Sequence, residues 1–330
     1  MPGLVPIGCG KSEAAQGIAE AVGVRTRSKL PSRLGDSFRV SAAHAAGVGR
    51  SRGDADDLHR PFRGVRSTTV PSTFSALVDC YRPRLAAEHA FVGRSAARLW
   101  GLPLPWIWTP EEDLEIAVPL HLSAPRITGV RGRRLAARKI RYWTVRGART
   151  VDAVAALFTC AAVLTLVETV VILDALVTEA DNYPELGPGR PLASIDEIAN
   201  RLQAWGRFPG SGTVRRAIPL VREHVESPKE TETRLLIRSA GIAEPVVQYE
   251  VYDGGRFVAR PDLSYPELKI AIEYEGDGHR RSKEQWRVDI RRQRDLEDRG
   301  WIVIRLTQAD LDDGGAALIA RLRRAIASRG

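Results

Sequence analysis

The last third of the chain has the clearest pattern of hydrophobic and polar positions. Apolar residues alternate with polar ones or form short continuous runs, which is typical of β-strands. Asp253-Gly254-Gly255 and Tyr265-Pro266-Glu267 carry the residue types of turns. The predicted strands are VVQYEV (246–251), FVARPDL (257–263), LKIAIEYE (268–275) and WIVIRLT (301–307).

Helical patterns surround these strands. A helix is predicted from Ser227, the first residue of an S-x-x-E capping box that Glu230 completes, to a stop at Gly241. A charged helix precedes Gly300, and an amphipathic helix covers about 308 to 328. Residues 225–330 are therefore predicted to form an α/β domain with the order α-β-β-β-α-β-α.

The front part of the chain has weaker patterns. Residues 1–34 are rich in Gly, Ser and Arg and are predicted to be a disordered tail. Residues 35–67 indicate a small helix-turn-helix, with Ser41 as a cap and Gly47 as a stop, followed by a strand in RPFRGVR (60–66). Residues 68–224 are predicted to be a middle α+β region, and the front part as a whole to be mostly helical.

Charge, cysteine content and hydropathy limit the kinds of binding partner and the cellular compartment that we expect. The formal charge of +9 favours polyanionic partners, although an arginine-rich proteome gives the same balance. The three scattered cysteines match no metal or disulfide spacing, which favours free thiols in a reducing cytoplasm. The apolar run 153–167 is shorter than the roughly 20 residues of a membrane-spanning helix, so we predict buried helices and no membrane partner. No signal peptide is predicted, because no basic segment precedes an apolar stretch.

Residues 131–149 contain eight basic residues, no acids, and the aromatic pair Tyr142-Trp143. Such a stretch can follow a nucleic-acid backbone and stack on bases, with Arg134 and Arg138 as candidate phosphate contacts. It can also be a pair of strands with a solvated basic face, and the sequence slightly favours this second interpretation.

Three carboxylates mark the candidate chemistry. Glu273 and Glu275 are two residues apart on one strand face, while Ile270, Ile272 and Tyr274 fill the other. Asp262 ends the preceding strand, and a turn centred near Tyr265-Pro266 predicts that it does not lie directly opposite Glu273. Unneutralised carboxylates on a central strand repel one another, so either a divalent cation or an arginine must compensate them. The arginine candidates are Arg260, Arg292 and Arg305.

Several motifs stand out in residues 225–330: SPKET (227–231), PDL (261–263), EYEGDGHR (273–280), Trp286, Asp289, Arg292 and GWIVIRLT (300–307). As a set, they resemble the restriction-endonuclease-like PD-(D/E)xK family, in the branch near very short patch repair endonucleases. Residues 35–67 resemble the truncated winged-helix module of AbiEi-type antitoxins, but residues 54–57 are acidic where a recognition helix would be basic.

The resemblance implies an Mg²⁺ or Mn²⁺ site and DNA as the partner. Glu275 stands where the family usually has lysine, so it would bind the metal or act as a general base. The module at 35–67 would contact DNA or a partner protein. The implied metal ligands are Asp262, Glu273 and Glu230, the implied catalytic residues are Asp262, Glu273, Glu275 and His279, and the implied phosphate contacts are Arg280, Arg291 and Arg292.

Ordinary structural roles compete with these assignments. Glu230 fits a helix cap, His279 fits a turn, and Asp289 with Arg292 fits an intrahelical ion pair on a solvated helix. Two functions therefore remain open: a metal-dependent DNA endonuclease, and a catalytically inactive nucleic-acid-binding or antitoxin-like regulator.

Overall fold

The computed structural model describes residues 28–139, 141–186, 189–276 and 283–330, except for the side chains of 283–286 and 289. The described chain is a mixed α/β protein. Its α-helices are α1 (Val40–Ala45), α2 (Arg50–Gly53), α3 (Phe74–Tyr81), α4 (Gly93–Trp100), α5 (Ala153–Cys160), α6 (Leu166–Val177), α7 (Ile195–Trp205), α8 (Ser211–Ala217), α9 (Pro228–Ser239), α10 (Lys283–Glu297), α11 (Gln308–Asp312) and α12 (Ala316–Ala327). Its strands are β1 (Ser37–Arg39), β2 (Val65–Ser67), β3 (Ala90–Phe91), β4 (Leu114–Pro119), β5 (Arg126–Ile127), β6 (Val130–Leu135), β7 (Tyr142–Val145), β8 (Ala148–Val151), β9 (Val246–Val247), β10 (Val251–Asp253), β11 (Arg256–Ala259), β12 (Leu263–Tyr265), β13 (Ile270–Tyr274) and β14 (Ile302–Leu306).

The first segment is a β-α-α-β unit in which β1 and β2 pair antiparallel. Gly47, at φ +84°, follows α1 as predicted, but the helix already begins at Val40, so Ser41 is not its cap. Leu30 and Leu34 pack against the core of this unit, so part of the predicted tail is packed structure. Residues 1–27 lie outside the described residues.

The acidic stretch of this unit is neutralised within the unit. Asp54 forms ion pairs with Arg66 and Arg60, and Asp57 forms one with Arg52. These acids are therefore compensated locally, without a partner molecule.

A six-stranded mixed sheet organises the middle region, in the order β5-β6-β4-β3-β8-β7. These six strands agree with the α+β character expected for 68–224, but not with a mostly helical front part. Helices α5 and α6 are almost entirely buried, which confirms the prediction for 153–167. No helix among the described residues is both long and apolar enough to cross a membrane.

The basic stretch 131–149 runs through β6, β7 and the first two residues of β8. Strands β7 and β8 are adjacent and antiparallel, which agrees with the pair of strands that the sequence favoured. Strand β6 is not part of this pair, because β4, β3 and β8 lie between it and β7 in the sheet. At about 4.8 Å per strand, β6 and β7 are about 19 Å apart.

The last unit contains a four-stranded mixed sheet in the order β14-β13-β12-β9. Strands β13 and β14 are parallel and α10 lies between them in sequence, whereas β12 is antiparallel to both of its neighbours. Ile270 and Ile272 pack in one core with residues of α12, and Ala271, on the other face, packs in a second core with Leu296 and Trp301. The predicted two-faced character of β13 is confirmed.

Three predicted elements are interrupted. VVQYEV splits at Gln248, whose φ is +50°, so that β10 leaves the sheet and pairs with β11 as a separate hairpin. FVARPDL splits at Pro261, which has no N–H to donate to a ladder. The last helix splits at Gly314-Gly315, both with positive φ.

A buried ion pair joins the middle region to this unit. Arg234 of α9 and Asp174 of α6 are both fully buried and 2.9 Å apart. Thr231 Oγ1 and the Arg222 N–H also donate to Asp174. Burial raises the pKa of Asp174 to about 6, against the opposing effect of Arg234.

Candidate functional site

The site begins with the register of the β12–β13 hairpin. Leu263 lies opposite Ile272, so continuing the antiparallel register by one residue brings Asp262 opposite Glu273. The expectation that these two acids are offset was wrong. The turn is a 3₁₀ segment, Pro266–Leu268, which lies further along the chain than the predicted centre at Tyr265-Pro266.

Two main-chain hydrogen bonds fix Asp262. The Tyr274 N–H donates to its carboxylate oxygen Oδ2 at 2.8 Å. The Gln248 N–H donates to its main-chain carbonyl at 3.0 Å. Asp262 is thereby held between β9 and β13, with its side chain half-buried.

Glu230 reaches the same place from the start of α9. Ser227 caps the helix by accepting from the Glu230 N–H at 3.3 Å, as predicted. The Glu230 carboxylate does not close the predicted box on Ser227. It accepts instead from the Glu226 N–H at 3.0 Å and from the Gln248 side chain at 2.9 Å. Gln248 therefore connects Glu230 with Asp262.

The carboxylates influence one another. Burial raises the pKa of Asp262 to about 8, and the negative charges of Glu230, Glu273 and Glu226 add to this effect. Burial also raises the pKa of Glu230, and Glu226 contributes in the same direction. Crowded carboxylates with raised pKa values are a general sign of a functional site.

Glu275 has an arginine partner. It forms an ion pair with Arg305 of β14, the residue that lies in register beside Glu273. Lys269, the nearest lysine on this hairpin, donates to the Arg299 carbonyl at 3.2 Å. The positive charge beside Glu275 therefore comes from the neighbouring strand.

A cavity of about 840 Å³ opens beside Asp262 and Glu230. Glu230, Gln248 and Asp262 line it, and Arg260 and Arg292 supply positive charge. The Arg260 side chain pairs with Glu226, and the Arg260 main-chain carbonyl accepts a hydrogen bond from the Arg292 guanidinium at 3.1 Å. Asn182 and Pro184 of the middle region complete the lining, so the cavity lies where the two parts of the chain meet.

Other predicted site residues lie elsewhere or outside the description. Arg291 is exposed on α10, and Arg134 and Arg138 are exposed on the middle region. His279 and Arg280 lie outside the described residues, and so does the side chain of Asp289. Within the described residues, no group of three or more His, Cys, Asp or Glu side chains is arranged to hold a metal ion.

Sequence reasoning missed Glu226, Gln248 and Asn182. The Asn182 amide donates to Glu226, which in turn holds Arg260. Gln248 had one signal: a polar residue at the centre of an otherwise regular strand. Nothing local distinguishes Glu226 or Asn182, because their roles depend on contacts between distant segments.

Comparison with known proteins gives relatives without an assigned activity. No protein-family model matches the chain, and no solved structure matches it significantly. It is similar to "Uncharacterized protein MT2308" of Mycobacterium tuberculosis (strain CDC 1551 / Oshkosh) and to "Uncharacterized protein Rv2248" of strain ATCC 25618 / H37Rv. Each is 29% identical over 129 residues, which is 39% of this chain and 47% of the relative. The chain thus spans about half the length of these curated relatives.

Proposed function

We propose that the chain is a metal-dependent DNA endonuclease whose last unit, residues 225–330, has the restriction-endonuclease-like PD-(D/E)xK fold. The observation that carries the proposal is the register of the β12–β13 hairpin, which puts Asp262 opposite Glu273 beside an open cavity. A helix, antiparallel strands and a parallel β13–β14 pair with α10 between them in sequence support the fold assignment.

The donor set fits a hydrated Mg²⁺ or Mn²⁺ ion. Magnesium needs only one or two protein carboxylates because it keeps several of its waters. Among the described residues, Glu230 and Asp262 have no cationic partner, and burial with mutual repulsion raises their pKa values. A cation between such acids would relieve the repulsion, so Asp262 and Glu273 are the proposed ligands and Glu230 a supporting one.

When bound, the ion would polarise the phosphate and lower the pKa of the attacking water. The protein groups then orient the substrate and move the proton. Arg292 and Arg260 at the cavity would hold phosphate oxygens. Glu275 would accept the proton from water, and Arg305 would supply the positive charge that the usual lysine provides.

A supercoiled-plasmid assay tests this proposal. Wild-type protein is expected to nick or linearise the plasmid with Mg²⁺ or Mn²⁺ and to be inactive in EDTA. The Asp262→Ala, Glu273→Ala double variant is expected to lose cleavage. Equal cleavage by both proteins would discard the catalytic role of this site.

Glu267→Gln is the matched control. Glu267 is an exposed acid on the same hairpin, in the turn between β12 and β13, and it does not line the cavity. It should retain wild-type cleavage. A loss of activity in this variant as large as in the double variant would point to general damage of the hairpin.

A catalytically inactive nucleic-acid-binding regulator is the second candidate. The Glu275–Arg305 ion pair favours it, because an arginine there neutralises an acid without any metal. This function predicts DNA binding that persists in EDTA and in the double variant, with no Mg²⁺-dependent heat in calorimetry. Saturable Mg²⁺ binding that needs Asp262 would exclude it.

A further inference from the structure

A second cavity, of about 610 Å³, lies along the edge strand β7 of the middle sheet. We call it the β7 cavity. Its wall contains Trp100 and Trp143, and Arg141 and Arg146 lie at the two ends of the strand. None of these residues belongs to the proposed cleavage site.

Trp143 is the prominent aromatic group of this cavity. Its ring meets Trp100 edge-to-face with 5.7 Å between ring centroids, yet the residue is 54% exposed. Trp100 is anchored, because its indole N–H donates to the Val151 carbonyl at 2.8 Å. The cavity thus presents an open indole ring on a fixed aromatic support.

The charges of the cavity are divided between its floor and its rim. In the floor, Asp152 is neutralised by the buried Arg201. At the rim, Arg141 pairs with Glu197 in an exposed contact, a kind of pair worth little in water. The remaining positive charge on the lining is Arg146.

Arg146 occupies an unusual backbone position. It forms the two-residue turn between β7 and β8 with Gly147, at φ +49° and +74°. Asn, Asp or Gly are the usual residues at such positive angles. The turn directs a long cationic side chain to the cavity rim, where its guanidinium donates to the Glu185 carbonyl at 3.2 Å.

We propose that the β7 cavity binds single-stranded DNA, with one base stacked on Trp143 and the flanking phosphates held by Arg141 and Arg146. Stacking on an aromatic ring with arginines beside it is the chemistry by which proteins bind single strands. The net charge of +9 extends the complementarity to a polyanion. Because β7 is an edge strand, a strand of nucleic acid can reach it without displacing protein.

This binding does not depend on the proposed cleavage. A chain without nuclease activity could still hold DNA in the β7 cavity, and a nuclease could lack this second site. The test is therefore made in EDTA, where failure of cleavage does not affect the result.

The probe is a fluorescein-labelled oligothymidylate of about 15 nucleotides, within the usual site size for single-strand binding folds. Its anisotropy is measured with wild-type protein and with Trp143→Ala. The variant is expected to bind about 10-fold more weakly or worse, as for loss of one stacked base. Trp143→Phe should stay within about threefold of wild type, because a phenyl ring still stacks. Arg146→Gln should lower the slope of log K against log salt by about 0.7.

Tyr142→Ala is the matched control. Tyr142 is the neighbouring residue on β7, is 42% exposed, and lies on the opposite strand face, where it stacks with Arg149. It should bind the probe nearly as well as wild type, and all variants should keep the wild-type urea midpoint. The proposal is overturned if wild type does not bind the probe, or if Trp143→Ala binds no worse than Tyr142→Ala.

Discussion

In the metal-free protein, the stability of Asp262→Asn relative to wild type should increase as the pH rises. Asparagine keeps the shape and can still accept the Tyr274 N–H, but it carries no charge. The wild-type carboxyl has a pKa raised from 3.8 to about 8 by burial and by neighbouring acids. The substitution therefore removes one charge from a crowded group of acids and leaves the packing in place.

The direction follows from proton binding. Below about pH 4 the carboxyl is protonated in both the folded and the unfolded chain, and its contribution to stability is fully present. Between about pH 4 and 8 the unfolded chain loses this proton while the folded chain keeps it, so wild-type stability falls as the pH rises. Asparagine does not titrate, so the variant escapes this part of the decline.

The pKa shift sets an upper limit on this change in the free energy of unfolding. At about 1.4 kcal/mol per pKa unit, the three units between pH 5 and 8 correspond to at most about 4 kcal/mol. Asp262 is half-buried, so water screens part of this, and we expect about 2 kcal/mol or more.

Urea unfolding in EDTA near pH 5 and near pH 8.5 measures the effect. The stability of Asp262→Asn relative to wild type should increase by about 2 kcal/mol or more between the two conditions. A parallel pH dependence of the two proteins would mean that Asp262 titrates at its ordinary pKa and that the acids are not crowded.

Further predictions concern the framework of the site. Arg234→Met should destabilise the protein by about 3–5 kcal/mol in urea unfolding, since it leaves Asp174 buried and unpaired; adding Asp174→Asn should restore part of the loss, and an additive double variant would contradict the pairing. Gln248→Ala should reduce plasmid cleavage by about 10-fold or more with unchanged DNA binding, because it removes one of the two hydrogen bonds that hold the Glu230 carboxylate; wild-type cleavage would show that the Gln248 hydrogen bond is not needed. Gly93→Ala should lower the urea midpoint strongly, since its Cβ would lie 2.1 Å from a buried carboxylate oxygen at a φ of +59°; an unchanged midpoint would contradict this.

Sequence patterns predicted the last unit well because its signals are local. The strand character of 270–274, the helix start at Ser227 and the glycine stops at Gly241 and Gly300 each depend on residues close in the chain. The alternation of β13 also predicted which residues face the core. These features need no knowledge of distant contacts.

The sequence predictions were wrong where contacts between residues far apart in the chain determine the structure. The hairpin turn uses Pro266–Leu268, with Lys269 at φ +49°, and this displacement is what brings Asp262 and Glu273 opposite each other. Gln248 breaks a strand that reads as continuous, and its side chain reaches a helix 18 residues earlier. In the middle region, β3 pairs with β8 across almost 60 residues, which periodicity cannot reveal.

The acids of the candidate site could be predicted from the sequence, but the residues that pair with them could not. Residue type and alternation singled out Asp262, Glu273 and Glu275. The Glu226–Arg260 pair and the Glu275–Arg305 pair join segments 34 and 30 residues apart. These two pairs show that Glu226 and Glu275 already have arginine partners.

Magnesium titration by calorimetry near pH 7, in two buffers with different ionisation enthalpies, shows whether these acids bind a cation. If the carboxylates around Asp262 form a cation site, wild-type protein will bind Mg²⁺ saturably and release close to one proton per ion, because the pKa of Asp262 is about 8 before binding. Asp262→Asn should bind more weakly and release fewer protons. The absence of saturable Mg²⁺ binding, or identical binding and proton release by both proteins, would contradict the account.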